Sequence, residues 1–433
     1  KISRELVFPF QIQSYWYASS MAKFIYIMLT LFIFWWVLFL QQKKHEAVTT
    51  ELKSEHLEIK QEQKKLVEQT EEELENIAAS FERSWIGLGP NVKQFEKEWE
   101  EFVGAEMAVG VNSATAALHL AVRLFNFPEG KKVLLPSQTF AATATAVLYN
   151  RLTPVFVDSD PETLGMCLED MKNKWDEDCV AIIPVHYAGH PVPMDELMPW
   201  AREKGLKVIE DCAHTAGAMY KGKVLGLWGD VGCFSFEEKK LMTTGDGGMM
   251  VTNNPELFKD VKAMRWVGID KDNWKTAQSY VDANKDAMHW FYEISVLGYK
   301  YNMNDLSAAI GLAQLKKLPD MNKKRSDVIN RYMDGIKDVE GITPLVPYEP
   351  ENYCYQMFGI RSDRRDDLML YLKSKGIATG CHYTPLTLQP LFKPFAQRCE
   401  YIEKEADRLI TLPLHVALTD EKVDYVIEHL QSF

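Results

Sequence analysis

The sequence predicts an α/β fold: a large, mainly parallel-sheet domain, then a smaller C-terminal α/β domain, preceded by an apolar helix and a charged helical linker. Three observations predict it. From about residue 81, helical stretches alternate with short apolar runs, the pattern of a sheet covered on both faces. After about residue 302 the chain turns helix-rich. The first 80 residues share neither pattern.

Phe24–Leu40 (FIYIMLTLFIFWWVLFL) is 17 residues without a charge, at the short end for a membrane-spanning helix. Gln41-Gln42-Lys43-Lys44 follows where small residues would mark signal cleavage, so an uncleaved anchor is expected ahead of a signal peptide. Residues 1–23 precede it. The chain opens on lysine and Met21 stands just before the run: either the chain is a fragment, or Met21 is the true start and residues 1–20 are not native. Residues 41–80 hold six lysines and ten glutamates and no Gly or Pro, which reads as a solvated helical stalk; Leu52, Ile59 and Leu66 make a short coiled coil the alternative.

In the body, strands are expected at Val133–Leu135, Val155–Val157, Ala181–Val185 and Lys207–Glu210, with helices near 92–102, 115–125, 140–149 and 193–203. These belong to a large domain, 81–303. A small domain, 304–433, is expected to hold helices at 304–317, 320–337, 364–375 and 420–431 around a strand near 355–361.

Composition bounds the function. The 433 residues carry 49 basic and 61 acidic side chains, a net charge of −12. That balance lacks the basic footprint of a nucleic-acid binder. A mean hydropathy of −0.23 excludes a polytopic membrane protein. Seven cysteines, none spaced C-x-x-C, suggest neither a disulfide framework nor a zinc site and fit a reducing, cytosolic compartment. The body is therefore expected in the cytoplasm, tethered to the inner or plasma membrane, while Lys1, Arg4 and Lys23 on one side of the apolar run balance Lys43, Lys44 and Lys53 on the other and leave its orientation open.

Four features sit at expected strand ends, where ligands collect on open parallel sheets. Asn112-Ser113-Ala114-Thr115 opens a helix and offers free N–H groups to an anion. Asp211 follows the apolar run Val208-Ile209. Lys239-Lys240 precedes the turn Thr244-Gly245-Asp246-Gly247-Gly248, and a lysine held in a dry site forms a Schiff base readily. Phe140 closes Pro136-Ser137-Gln138-Thr139-Phe140 and can cover a planar ligand. Each alone reads equally well as a helix cap, a solvated acid, surface lysines or core. Together they supply what pyridoxal phosphate (PLP) needs: donors for the phosphate, a flat support, a carboxylate for the ring nitrogen and an amine for the aldehyde.

Residues 84–433 resemble the DegT/DnrJ-type sugar aminotransferases, a branch of the fold type I PLP enzymes. The resemblance runs through Trp85-Ile86-Gly87-Leu88-Gly89-Pro90, Ser113-Ala114-Thr115-Ala116-Ala117, Pro184-Val185-His186-Tyr187-Ala188-Gly189, Glu210-Asp211-Cys212-Ala213-His214, Cys233-Phe234-Ser235-Phe236, Gly298-Tyr299-Lys300-Tyr301-Asn302 and Gly380-Cys381-His382-Tyr383. It implies that Lys240, five residues after Ser235 and five before Gly245, is the Schiff-base lysine. It implies that Asp211 pairs with the pyridinium nitrogen, that His214 lies near the ring, that Phe140 stacks on it, and that Ala114, Thr115 and Ser235 hold the phosphate. Lys300 stands where many members carry the asparagine that reaches the phosphate from the partner subunit, so a homodimer with shared sites is implied. His186, His382 and Tyr383 are the candidates for the sugar-side wall. For His186 a structural, hydrogen-bonded histidine is an equal alternative.

The Lys/Asn version of the 298–302 motif looks like the branch that aminates UDP-4-keto-arabinose for lipopolysaccharide modification. The implied reaction moves an amino group from an amino acid, L-glutamate, to a nucleotide-linked keto-sugar. The family's deoxygenating branch carries histidine in place of the lysine, so Lys240 argues against it. A membrane-tethered sensor without turnover is the rival from another class.

Overall fold

Short apolar runs become strands because they are buried on both faces. In the computed structural model, which describes residues 70–269, 294–349 and 353–433 and scattered positions between 28 and 44, seven such runs form the main sheet. They are β1 (Met107–Val111), β2 (Lys132–Pro136), β3 (Thr153–Val157), β4 (Cys179–Ile182), β5 (Lys207–Asp211), β8 (Val231–Ser235) and β9 (Gly248–Thr252), while β6 (Met219–Tyr220) and β7 (Lys223–Val224) form a separate hairpin. The order is β1-β9-β8-β5-β4-β2-β3. Only β9 runs against the others, antiparallel to β1 and to β8. The carboxyl ends of β1, β2, β5 and β8 therefore open on one edge of the sheet, and every cofactor candidate except Lys300 lies on or just after one of them.

The second sheet is antiparallel, β10-β11-β12, from β10 (Ile342–Pro344), β11 (Phe358–Ser362) and β12 (Leu409–Leu412). Between the sheets in sequence runs one helix of 32 residues, Asp305–Ile336. Two helices broken near Pro319 were expected. Proline removes one N–H and crowds the preceding turn, but Leu315 and Leu318 on one side and Arg325, Val328 and Ile329 on the other are all buried, so packing carries the helix through. Its Asn304 cap accepts from Ser307 N–H. The buried Asp305 carboxylate accepts from the N–H groups of Asn91 and Val92, at 3.2 and 3.1 Å, and so satisfies two orphan donors at the start of helix Pro90–Val103.

Residues 72–433 form one compact unit. The helix Glu71–Glu82 thus packs with the body from Glu72 onward, although the charged stalk was expected to run to residue 80. Glu73 is 6% exposed; it meets Lys317 at 2.6 Å and Gln314 at 2.7 Å. Most of the rest of the stalk, and most of the expected anchor Phe24–Leu40, lie outside the described residues. Among the described residues no helix is long and apolar enough to cross a membrane.

Candidate active site

The phosphate cradle is built by close approach. Ser113 caps helix Ala114–Leu124 by accepting from Ala116 N–H at 3.1 Å. The N–H groups of Ala114 and Thr115 open the helix and have no partner one turn back within it. Gly248 passes hard against this turn: a Cβ there would lie 2.5 Å from the Ser113 carbonyl carbon and 2.7 Å from Ala114 N. Gly248 pairs in register with Ser235. Gly248 thus stands between the Ala114–Thr115 turn and Ser235, and all three border the same stretch of the sheet's carboxyl edge, where a helix start favours an anion.

Asp211 ends β5 and is 5% exposed. Burial pushes its carboxyl above the usual range, opposed by the hydrogen bond from Thr143, the Ala213 N–H and the charge of Lys240. Thr143 Oγ1 donates to Asp211 Oδ2 at 2.8 Å and is itself 2.8 Å from Thr139 Oγ1. Lys240 is pushed below its ordinary range by burial, opposed by the attraction of Asp211 and Glu237. Lys239 differs: its side chain is 81% exposed and sits 3.6 Å from Glu238. Burial thus shifts Lys240 toward the neutral amine, while the Lys239 side chain stands in solvent.

His214 is buried, and its Nε2 lies 3.2 Å from the hydroxyl of Tyr383. Its Nδ1 is buried with no hydrogen-bond partner. Burial, then the charge of Lys240, then His382 hold its pKa well down. Tyr383 lies near-parallel to His214 at 6.3 Å, with the exposed Phe140 ring 5.9 Å away on its other contact. These rings bring the C-terminal segment 382–383 to the end of β2 and the loop after β5.

The remaining candidates divide. His382 touches this region through its carbonyl, which accepts from the Tyr187 hydroxyl and from Gln138 Nε2. Its ring turns to Thr411, 2.9 Å away. Lys300 Nζ donates to its own Asn302 at 2.8 Å and lies over the Trp266 ring, while its carbonyl sits 3.5 Å from Asn112 Nδ2.

His186 is fully buried. Its Nδ1 accepts from Val192 N–H at 3.2 Å, which puts the ring proton on Nε2, 3.2 Å from Glu210. Both ring nitrogens are used, so it offers no atom to a sugar. His186, Glu210 and Cys212 stand close enough to suggest a metal site. However, Glu210 also accepts from the N–H groups of Gly226 and Gly229. Three donors already sit on the carboxylate and both His186 nitrogens are taken, so the set does not present three free ligand atoms to a cation.

The sequence reading missed Thr143 and Tyr187. Thr143 hides in the run Ala141-Ala142-Thr143-Ala144-Thr145-Ala146; its signal was a hydroxyl in the first turn after Phe140. Tyr187 stood inside a quoted motif without a role.

The site fits PLP by its own chemistry: free N–H groups at a helix start for a phosphate, a buried carboxylate that feels the charge of Lys240, a desolvated lysine, and the orphaned His214 Nδ1. Residues 67–431 match the DegT/DnrJ/EryC1/StrS aminotransferase family. The chain is 39% identical to the uncharacterized protein MJ1066 of Methanocaldococcus jannaschii, over 84% of this chain and 95% of that one. It is 34% identical to the spore coat polysaccharide biosynthesis protein SpsC of Bacillus subtilis, over 83% and 94%. The putative sugar aminotransferase Spr1654 of Streptococcus pneumoniae, solved in a PMP form, superposes with a TM-score of 0.77 at 29% identity, over 84% of this chain and 96% of that one; the same protein is solved in a PLP form. The chain belongs to the DegT/DnrJ/EryC1/StrS aminotransferase family and is a PLP-dependent aminotransferase.

Proposed function

We propose that this aminotransferase moves the amino group of L-glutamate to a nucleotide-linked 4-keto-sugar, making an amino sugar for a surface polysaccharide or lipopolysaccharide. The observation that carries the site assignment is the contrast between Lys240, desolvated and facing Asp211, and its exposed neighbour Lys239. The sugar class is supported by the names of Spr1654 and SpsC, and the 4-keto pentose by the Lys300/Asn302 motif.

In this reading Ala114, Thr115 and Ser235 hold the phosphate and Phe140 and His214 flank the ring. PLP, when bound, supplies an aldehyde to take up the amino group and a ring that draws off the electron pair left at the substrate's Cα. Lys240 Nζ removes the Cα proton of the amino acid and later returns a proton to the sugar carbon that receives nitrogen, as general base and then acid. Asp211 keeps a proton on the ring nitrogen, and Thr143 orients its carboxylate. Tyr383 closes the site against water. A second copy of the chain completes it through the Lys300 segment, and the apolar run Phe24–Leu40 tethers the body to a membrane.

A panel of nucleotide-linked keto-sugars, begun with the UDP-linked 4-keto-pentose and read by 2-oxoglutarate release with L-glutamate as donor, tests the proposal. Turnover with a 4-keto-sugar is expected; turnover confined to non-sugar keto acids would refute it.

A further inference from the structure

The backbone of Lys240 is held at three points. Its N–H donates to the Glu237 carbonyl at 3.0 Å. The carbonyl before its Cα, that of Lys239, accepts from Gln356 Nε2. The carbonyl after it, its own, accepts from Arg325 Nη2 at 3.4 Å. Both peptide units that bracket the Cα are thus fixed by side chains from the C-terminal half. Fixing them fixes the direction of the Cα–Cβ bond, and so where Nζ can reach.

Arg325 is 7% exposed, its Nη1 has no hydrogen-bond partner, and among the described residues no carboxylate pairs with it. An apolar residue in that position would avoid the desolvation of an unpaired cation. One helical turn earlier on the same face, Asn322 Nδ2 donates to the Ala216 carbonyl at 3.1 Å. Ala216 lies two residues beyond His214. A single turn of helix Asp305–Ile336 therefore grips both the loop that follows Asp211 and carries His214 and the loop that carries Lys240.

We propose that Arg325 and Gln356 are positioning residues that aim Lys240 into the site, with Asn322 setting the distance between the two loops. The inference rests on the reading of Lys240 as the cofactor's lysine.

The test uses the full chain stripped of cofactor. Wild type, Arg325→Met, Arg325→Lys and Gln356→Leu are labelled with acetic anhydride across pH, and each lysine is quantified by peptide mass spectrometry. Lys239 is the internal control. The groups facing the Lys240 amine are Asp211 and Glu237, which favour its charged form, and His214 and His382; none is altered. In wild type Lys240 is expected to label with a lower pH midpoint than Lys239. In Arg325→Met and Gln356→Leu a loosened Lys240 gains water, and its midpoint rises by about half a unit, a roughly threefold fall in the labelled fraction below the midpoint. Lys239 stays where it was, and Arg325→Lys recovers part of the shift. Midpoints that stay put in folded variants, or that move equally for both lysines, overturn the proposal. If Arg325→Met does not fold, Gln356→Leu decides, because Gln356 is half-buried where Arg325 is buried, and leucine removes the amide that grips the Lys239 carbonyl. A separate borohydride reduction in the presence of PLP tests the underlying reading: label on Lys239 sinks that reading, whereas label on Lys240 with unmoved midpoints sinks only the positioning role.

Discussion

Replacing Glu210, on the central strand of the main sheet, with glutamine should destabilise the fold far more than so small a change suggests. The Glu210 carboxylate takes three N–H groups: Gly229 at 2.7 Å on Oε1, Gly226 at 2.9 Å and His186 Nε2 at 3.2 Å on Oε2. Glutamine has one acceptor oxygen. If its NH2 replaces Oε1, it points at the Gly229 N–H. If it replaces Oε2, it points at the Gly226 N–H and the His186 proton. His186 cannot yield by moving that proton, because Nδ1 already accepts from Val192. Either orientation loses at least one hydrogen bond to the carboxylate and strands a buried donor, which costs about 2–4 kcal/mol. Equilibrium unfolding in guanidinium chloride, with cofactor removed, measures it. A companion assay is diethylpyrocarbonate modification, from which His186 should be protected in wild type and released in Glu210→Gln. A variant within about 1 kcal/mol of wild type, or a His186 that reacts freely in wild type, would refute the structural role assigned to this pair and return His186 to the substrate wall.

Other outcomes follow from the same geometry. Burial raises the Asp211 pKa above 3.8, so the folded state holds this proton more tightly than the unfolded one; the stability it contributes is full below pH 3.8 and is lost as pH rises through the folded value. Cofactor-free Asp211→Asn should therefore be more stable than wild type near neutral pH and lack that slope, yet bind PLP poorly; thermal unfolding against pH checks it, and matching slopes would contradict it. Gly248→Ala should abolish PLP binding, read by dialysis and absorbance, because its Cβ would lie 2.5 Å from the Ser113 carbonyl carbon; retained affinity would dissolve the cradle.

The sheet was legible because its signal is local. Runs such as Val133-Leu134-Leu135 and Val155-Phe156-Val157 are buried on both faces, and periodicity alone reports that. The helix through Pro319 was not legible, since the packing that overrides proline comes from residues far away in sequence. The site divided along the same line. Asp211 and the Ser113–Thr115 turn are strand-end features, readable from what precedes them. The Lys239/Lys240 choice needed the family's spacing, because nothing local distinguishes two adjacent lysines; burial does. For His186 a place on the sugar-side wall and a structural, hydrogen-bonded role were equal readings of the motif, and only Glu210 and Val192, brought to its two nitrogens by the fold, favour the second. Arg325 and Gln356 reach the Lys240 segment through long-range hydrogen bonds, for which one sequence carries no pattern, and Thr143 left only a hydroxyl in the first turn after Phe140.

The most direct test of the central claim is the visible spectrum of the purified chain with PLP, before and after L-glutamate, for wild type and Lys240→Ala. Wild type should show the absorption band of lysine-bound cofactor, and glutamate should convert it to that of the pyridoxamine form; Lys240→Ala should fold and show no such band. A folded wild type without the band, or a Lys240→Ala variant that keeps it, would contradict the account.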